Sequence, residues 1–346
     1  MQQNKQAKYA ILKMLQEMDG PAGAARIADR LVSEGIHLQP RSIRFYLLQL
    51  DREGFTRTVS RRAGRELTSR GREELAHGNI IEKVGFVESK IDALGYRMSY
   101  RASSGTGTII TNIARIRAGA LARAIEYMKP VFVRRLGMGS KLAIAREGQT
   151  LAGLAVPRDT VLLGTVCSVT VNGILLAERI PVTSRFGGLL EMRDDKPARF
   201  VELIEYRGTT IDPLEFFISA NMTRVRDCAR TGSGVIGASF REIPGVAVDE
   251  VERIRKTMDR HGLRGILAVG RPNRPLLDIP VAEGRAGMIV IGGLNPIAAL
   301  REGGAEVSIQ SLAGLEDFNS FLPFQTLRDR YSTEANVRSQ AFGSAE

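Results

Sequence analysis

Apolar positions in the first eighty residues recur with the period of a helix. Ala7, Ala10, Ile11, Met14, Leu15 and Met18 form one stripe at i, i+3, i+4, i+7 spacing. Asp19-Gly20-Pro21 then ends the helix, glycine by allowing an exit and proline by blocking continuation. A second stripe, Ala24, Ile27, Ala28, Leu31 and Val32, runs out near Gly35, and a third opens at Pro40 with Ile43, Tyr46, Leu47 and Leu50 turned inward. After Gly54 the period changes. Residues 55–60 read as a strand, 61–64 as a turn and 65–68 as a returning strand, with Ser69 as the cap of a further helix. Three short helices and a hairpin predict a winged helix-turn-helix over residues 1–80.

From residue 81 onward, β-rich runs alternate with helical patterns, which predicts a mixed α/β (α+β) domain. Gly164–Glu191 reads as a glycine-punctuated β segment. On that reading, strand parity puts Cys167 on one face and Ser168, Thr170 and Asn172 on the other. Pro157, Gly164 and Asn172 superpose on Pro280, Gly287 and Asn295 at one offset of 123 residues, and Gly105-Thr-Gly107 resembles Gly232-Ser-Gly234. The domain is therefore read as an internal duplication over 81–325, with halves near 81–220 and 221–325. The tail 331–346 lacks apolar periodicity and is expected to be disordered.

Composition narrows the class. Of 346 residues, 43% are hydrophobic and 25% charged, proportions suited to burying a core. No run of apolar residues is long enough to span a bilayer, and the N-terminus has no secretory h-region. Two cysteines give no disulfide framework and fit a cytoplasmic setting. The net charge is +11, and the first 80 residues carry 14 Lys and Arg against 9 Asp and Glu. That balance suits a polyanionic partner such as double-stranded DNA. Candidate DNA contacts are Arg41, Ser42, Arg44 and Gln49 on the third helix, and Arg61, Arg62 and Arg65 on the wing.

Catalytic chemistry is poorly represented. Cys167 would need a base, but His37 and His77 lie in or just after the winged helix and His261 sits in a polar turn. Two separated cysteines and three scattered histidines make no metal site, and the glycine pairs match neither a Walker loop nor a dinucleotide fingerprint. No catalytic residue, metal or cofactor is assigned. A small-anion pocket is better supported. Cys167, Thr170 and Asn172 share the opening segment, and Arg185-Phe186-Gly187 puts an arginine at a glycine turn. Thr209 and Thr210 are adjacent hydroxyls before a Pro-started helix, Ser239 and Arg241 form a second polar pair, and Asn295 is the repeat counterpart of Asn172. The alternative for Cys167 is an ordinary core thiol.

Five blocks in order, G-T-V-C-S-V-T-V-N-G-I-L-L (164–176), I-P-V-T-S-R-F-G-G-L-L-E (180–191), Y-R-G-T-T-I-D-P-L-E-F-F-I (206–218), G-A-S-F-R-E-I-P (237–244) and V-I-G-G-L-N-P-I-A-A (290–299), resemble the NrpR family of nitrogen-responsive regulators. The resemblance runs from about Lys83 to Phe321, and the preceding winged helix also fits it. It implies a homodimeric repressor on inverted-repeat operators of nitrogen-assimilation genes, released by 2-oxoglutarate, with Cys167 in the effector pocket. Some family members carry two regulatory domains where this chain carries one, which leaves room for a partner regulator. Two other readings stand beside it: a co-regulator acting through another repressor, and a small-acid enzyme with a basic N-terminal module.

Overall fold

The computed structural model describes residues 2–18, 20–33, 38–60, 62–77 and 86–330. The expectation of a disordered tail at 331–346 falls outside them. The chain divides into two compact units, Met1–Val84 and Gly85–Glu346.

In the first unit, α1 (Gln2–Glu17), α2 (Ala24–Ser33) and α3 (Pro40–Arg52) precede a hairpin of β1 (Thr56–Ser60) and β2 (Gly64–Leu67) and then α4 (Ser69–His77). The helical stripes meet in one core of Ile11, Leu15, Ile27, Leu31, Ile43, Leu47 and Leu50, closed by Leu67. Ala22 pairs with Arg65 and gives the hairpin a third strand position. Gly64 makes that approach possible: its φ is 94°, and a Cβ there would lie 2.2 Å from the Ala22 carbonyl oxygen. The expected cap of α4 moves by one residue. Thr68 Oγ1, not Ser69, accepts the Gly71 N–H at 3.0 Å.

The second unit begins with the helix Phe86–Arg97 and holds twelve strands among the described residues. They are β3 (Thr108–Arg117), β4 (Lys141–Arg146), β5 (Thr150–Leu151), β6 (Leu154–Ala155), β7 (Thr160–Val166), β8 (Thr183–Arg193), β9 (Lys196–Glu205), β10 (Gly234–Pro244), β11 (Ile266–Val269), β12 (Arg285–Ile291), β13 (Ser308–Asp317) and β14 (Leu322–Pro323). Two five-stranded sheets run β13-β3-β7-β4-β14 and β11-β12-β10-β8-β9. The duplication is visible in the order of elements. β3, the helix Leu121–Val133, β4, β7, the helix Thr170–Ala177 and β8 recur as β10, the helix Val248–Arg260, β11, β12, the helix Asn295–Glu302 and β13.

Three details differ from the sequence reading. Strand β7 ends at Val166 and a helix begins at Thr170, so Cys167–Val169 form a turn and strand parity does not apply to Cys167, Thr170 or Asn172. The repeat register is also two residues away from the expected one. Ile113 faces Gly164 across β3 and β7, while Phe240 faces Ile289 across β10 and β12. Gly164 therefore corresponds to Ile289 rather than Gly287, and Thr170 rather than Asn172 corresponds to Asn295, each being the first residue of its helix. Finally, the halves exchange strands. β8 and β9 leave the first half to pair with β10, and β13 leaves the second to pair with β3. A boundary near residue 220 thus separates segments that share sheets, and a single core runs through both halves.

Candidate functional site

Residues at the start of each repeated helix clip the neighbouring central strand. Thr170 Oγ1 donates to the Ile110 carbonyl at 3.2 Å and accepts its N–H at 3.3 Å. In the other copy Asn295 Oδ1 accepts the Gly237 N–H at 2.9 Å, and its Nδ2 donates to the carbonyls of Gly237 and Leu136, both at 3.0 Å. The turns before these helices match as well, with Cys167 N–H on Ile110 O and Gly292 N–H on Gly237 O, both at 2.8 Å. The polar atoms of Thr170 and Asn295 are therefore committed to holding turn against strand.

Two residues further into the first helix, Asn172 points to the second sheet. Its Nδ2 donates to Ser184 Oγ at 3.0 Å, and its Oδ1 accepts from Nη1 of Arg241. Ser184 and Arg241 are cross-strand partners on β8 and β10. Arg241 is 0% exposed, yet its Nε and Nη2 have no hydrogen-bond partner among the described residues. A buried guanidinium with one edge unpaired is a costly arrangement, and that edge is the one that meets a carboxylate in a bidentate fork.

Burial shifts several titrations around Arg241. Burial lowers the basicity of Arg241, raises Tyr206, and pushes the Cys167 thiol up to about 12. Charges on Arg241 and Asp212 also act on Cys167 and Tyr206, so these four groups form one electrostatic neighbourhood. A thiol held that high stays protonated at neutral pH and is a poor nucleophile. Asp212 caps the helix Pro213–Ser219, accepting from Leu214 and Glu215 N–H at 3.0 and 3.1 Å, and burial still raises its carboxyl to about 6. Gly187 lets that cap approach the sheet: a Cβ there would lie 2.6 Å from Pro213 Cβ and 3.0 Å from Tyr206 Oη.

The remaining anion-pocket candidates sit elsewhere or are occupied. Arg185 is held by buried Glu242 and lies over the Phe186 ring, 5.1 Å from its centroid. Phe186 packs on Phe240, with ring centroids 6.4 Å apart. Thr209 Oγ1 turns back to the Ile211 carbonyl at 3.0 Å, and Thr210 is exposed. Ser239 is fully buried, with Oγ 3.4 Å from the Val290 carbonyl. Of the candidates, the structure brings Asn172, Arg241 and Cys167 into one neighbourhood. Ser184, Tyr206 and Asp212 join them without having been singled out as effector ligands.

On the first unit, Arg41, Ser42 and Arg44 are exposed on α3, and Arg41, Arg44 and the wing's Arg62 have no ion-pair partner among the described residues. Gln49 is half-buried. Arg65 is not at the wing tip: its Nε donates to Asp51 Oδ2 at 2.7 Å, tying β2 to the end of α3. Arg61 falls outside the described residues. Phe45 and Leu48 are exposed on the same helix. Among the described residues no helix is long and apolar enough to cross a membrane, and no cluster of His, Cys, Asp or Glu could hold a metal ion.

Comparison with known proteins agrees with both units. Residues 84–322 match the family described as NrpR regulatory domains NRD1 and 2, and residues 9–75 match the ribonuclease R winged-helix domain. The chain is 34% identical to the global nitrogen regulator NrpRI of Methanosarcina mazei, covering 90% of this chain and 95% of that one. It is 30% identical to the global nitrogen regulator NrpR of Methanocaldococcus jannaschii, covering 95% of this chain but 57% of that protein. The NrpR of Methanococcus maripaludis matches at 30% identity, with 90% of this chain and 54% of the relative covered, so the chain spans about half the length of these two. A solved structure of a nitrogen repressor-like protein from Methanococcus jannaschii superposes with a TM-score of 0.58 at 28% identity, over 69% of this chain and 98% of that one. The chain belongs to the NrpR family of nitrogen regulators.

Proposed function

We propose that the chain is a DNA-binding repressor of nitrogen-assimilation genes, working in the cytoplasm as a homodimer and released from its inverted-repeat operator by 2-oxoglutarate. The observation that carries the effector assignment is Arg241, fully buried with Nε and Nη2 unpartnered. A carboxylate entering there gains two charge-assisted hydrogen bonds and relieves two unsatisfied donors. The ligand also lies beside the Arg241–Asn172 contact, which joins the second sheet to the helix that follows β7. Its binding is thereby coupled to the packing of the duplicated halves. Release follows if the ligand binds the low-affinity DNA state more tightly than the high-affinity one.

DNA is held through α3 and the wing. Arg41 and Arg44 lie exposed on the helix that a winged helix sets in the major groove, and Arg62 reaches the flanking backbone or minor groove. The enzyme reading gains little from the site, because the buried Cys167 thiol stays protonated and Asp212, the carboxylate in its neighbourhood, is engaged in capping a helix. Calorimetry of the full chain with 2-oxoglutarate, paired with gel shifts on nitrogen-gene promoters, tests the proposal. Saturable heat and loss of the shifted band at the same ligand concentration are expected; absence of both refutes it. Arg44→Ala is expected to weaken operator binding by about 1–3 kcal/mol, with the fold unchanged by circular dichroism.

A further inference from the structure

The duplication supplies an internal control for Arg241. Across β10 and β8, Arg241 faces Ser184; across β3 and β13, the corresponding pair is Ala114 and Ile309. Asn172 is the third residue of its helix, and the third residue of the repeated helix is Ile297. The polar set Arg241, Ser184 and Asn172 is thus matched by Ala114, Ile309 and Ile297, of which Ala114 and Ile297 are completely buried. The same fold closes in one place with apolar side chains and in the other with a guanidinium whose Nε and Nη2 have no partner. Nothing in the architecture requires a charge at this position.

We infer that Arg241 is retained for a ligand and not for the fold, and that each chain carries one oxyanion site and one sealed copy of it. The site takes a carboxylate or a similarly planar oxyanion on the Nε–Nη2 edge, one per chain. Identifying that ligand as 2-oxoglutarate rests on the proposed function; the assignment of one working site and one sealed copy does not.

The test compares the full chain with two variants, Arg241→Met and the triple substitution Asn172→Ile, Ser184→Ile, Arg241→Ala, which writes the sealed set into the working site. Arg241→Met removes the unpaired edge but also leaves Asn172 Oδ1 without its donor, whereas the triple variant removes all three polar partners together, a replacement that is neutral or stabilising unless the set supports the structure. The expected result is a melting temperature for the triple variant equal to or above that of the unmodified chain. Isothermal titration of the unmodified chain is expected to give one 2-oxoglutarate per chain, with at least a 100-fold weaker interaction in Arg241→Met. A fall of more than about 5 °C in the triple variant, equivalent to a structural contribution in a domain of this size, overturns the inference. A stoichiometry of two per chain overturns it as well. If the triple variant fails to fold, the titration of Arg241→Met still decides. If 2-oxoglutarate gives no heat in the unmodified chain, succinate and nitrate are titrated in its place: binding of either that Arg241→Met abolishes upholds the inference and refutes the effector identity alone, and binding of neither overturns the inference.

Discussion

The two halves of the regulatory unit share an element order, a sheet topology and a helix-to-strand clip, yet only one of them holds a charged group in its interior. Where β3 meets β13 the pair is Ala114 and Ile309; where β10 meets β8 it is Arg241 and Ser184. The clips themselves were kept in both copies but built differently, by a hydroxyl at Thr170 and an amide at Asn295. The backbone geometry therefore sets what must be satisfied at the turn, and leaves the facing interior positions free to become either core or site. On the proposed reading, stability is tied to the shared features and ligand chemistry to the unshared ones.

That separation can be broken experimentally. The largest effect is expected from Arg241→Met, which should cost at least 100-fold in effector affinity, whereas Ile297→Val in the sealed copy should leave affinity within twofold by calorimetry. A comparable loss from Ile297→Val would erase the distinction. Next, Asn295→Ala removes three buried hydrogen bonds and should destabilise by roughly 3 kcal/mol, against about 1–2 kcal/mol for Thr170→Val, both read from urea denaturation. Equal costs would mean the two clips are not equivalent devices of different strength. The smallest effect concerns Asp212. Burial raises its folded pKa to about 6, above the ordinary value of 3.8, so the fold favours its protonated form. That contribution is fully present below about pH 3.8 and is lost as pH rises through about 6. Asp212→Asn should therefore flatten the melting temperature of the regulatory unit across this window, and an unchanged slope would place the titration elsewhere.

Much of the architecture was legible in the chain. Apolar period marked the helices of the winged unit to within a few residues, because each buries a narrow stripe such as Ile43, Leu47 and Leu50. The mixed and duplicated character of the remainder also showed in its alternating patterns. The repeat register did not, because Gly164 and Gly287 look alike in the string but occupy different places in β7 and β12. Strand exchange was invisible, since alternation says which face of a strand is buried and nothing about which strand lies beside it. For the site, residue type alone favoured Arg185 at its glycine turn. Its partner Glu242 lies 57 positions away, and only the folded chain shows that the charge is already met. Arg241 looked less conspicuous in the string, because what distinguishes it is an unpaired edge inside a core.

The exchanged strands also govern how this protein can be made. The Leu312 N–H in β13 donates to Asn112 Oδ1 in β3 across 200 residues of chain, so the first sheet stays unfinished until the second half has been synthesised. A nascent chain halted before residue 308 leaves the outer edge of β3 open, and an exposed edge is a template for pairing with other chains. The winged unit has its own core and has no such dependence. During translation the winged-helix unit would thus be complete well before the regulatory unit, whose sheets join strands far apart in the chain, could finish folding.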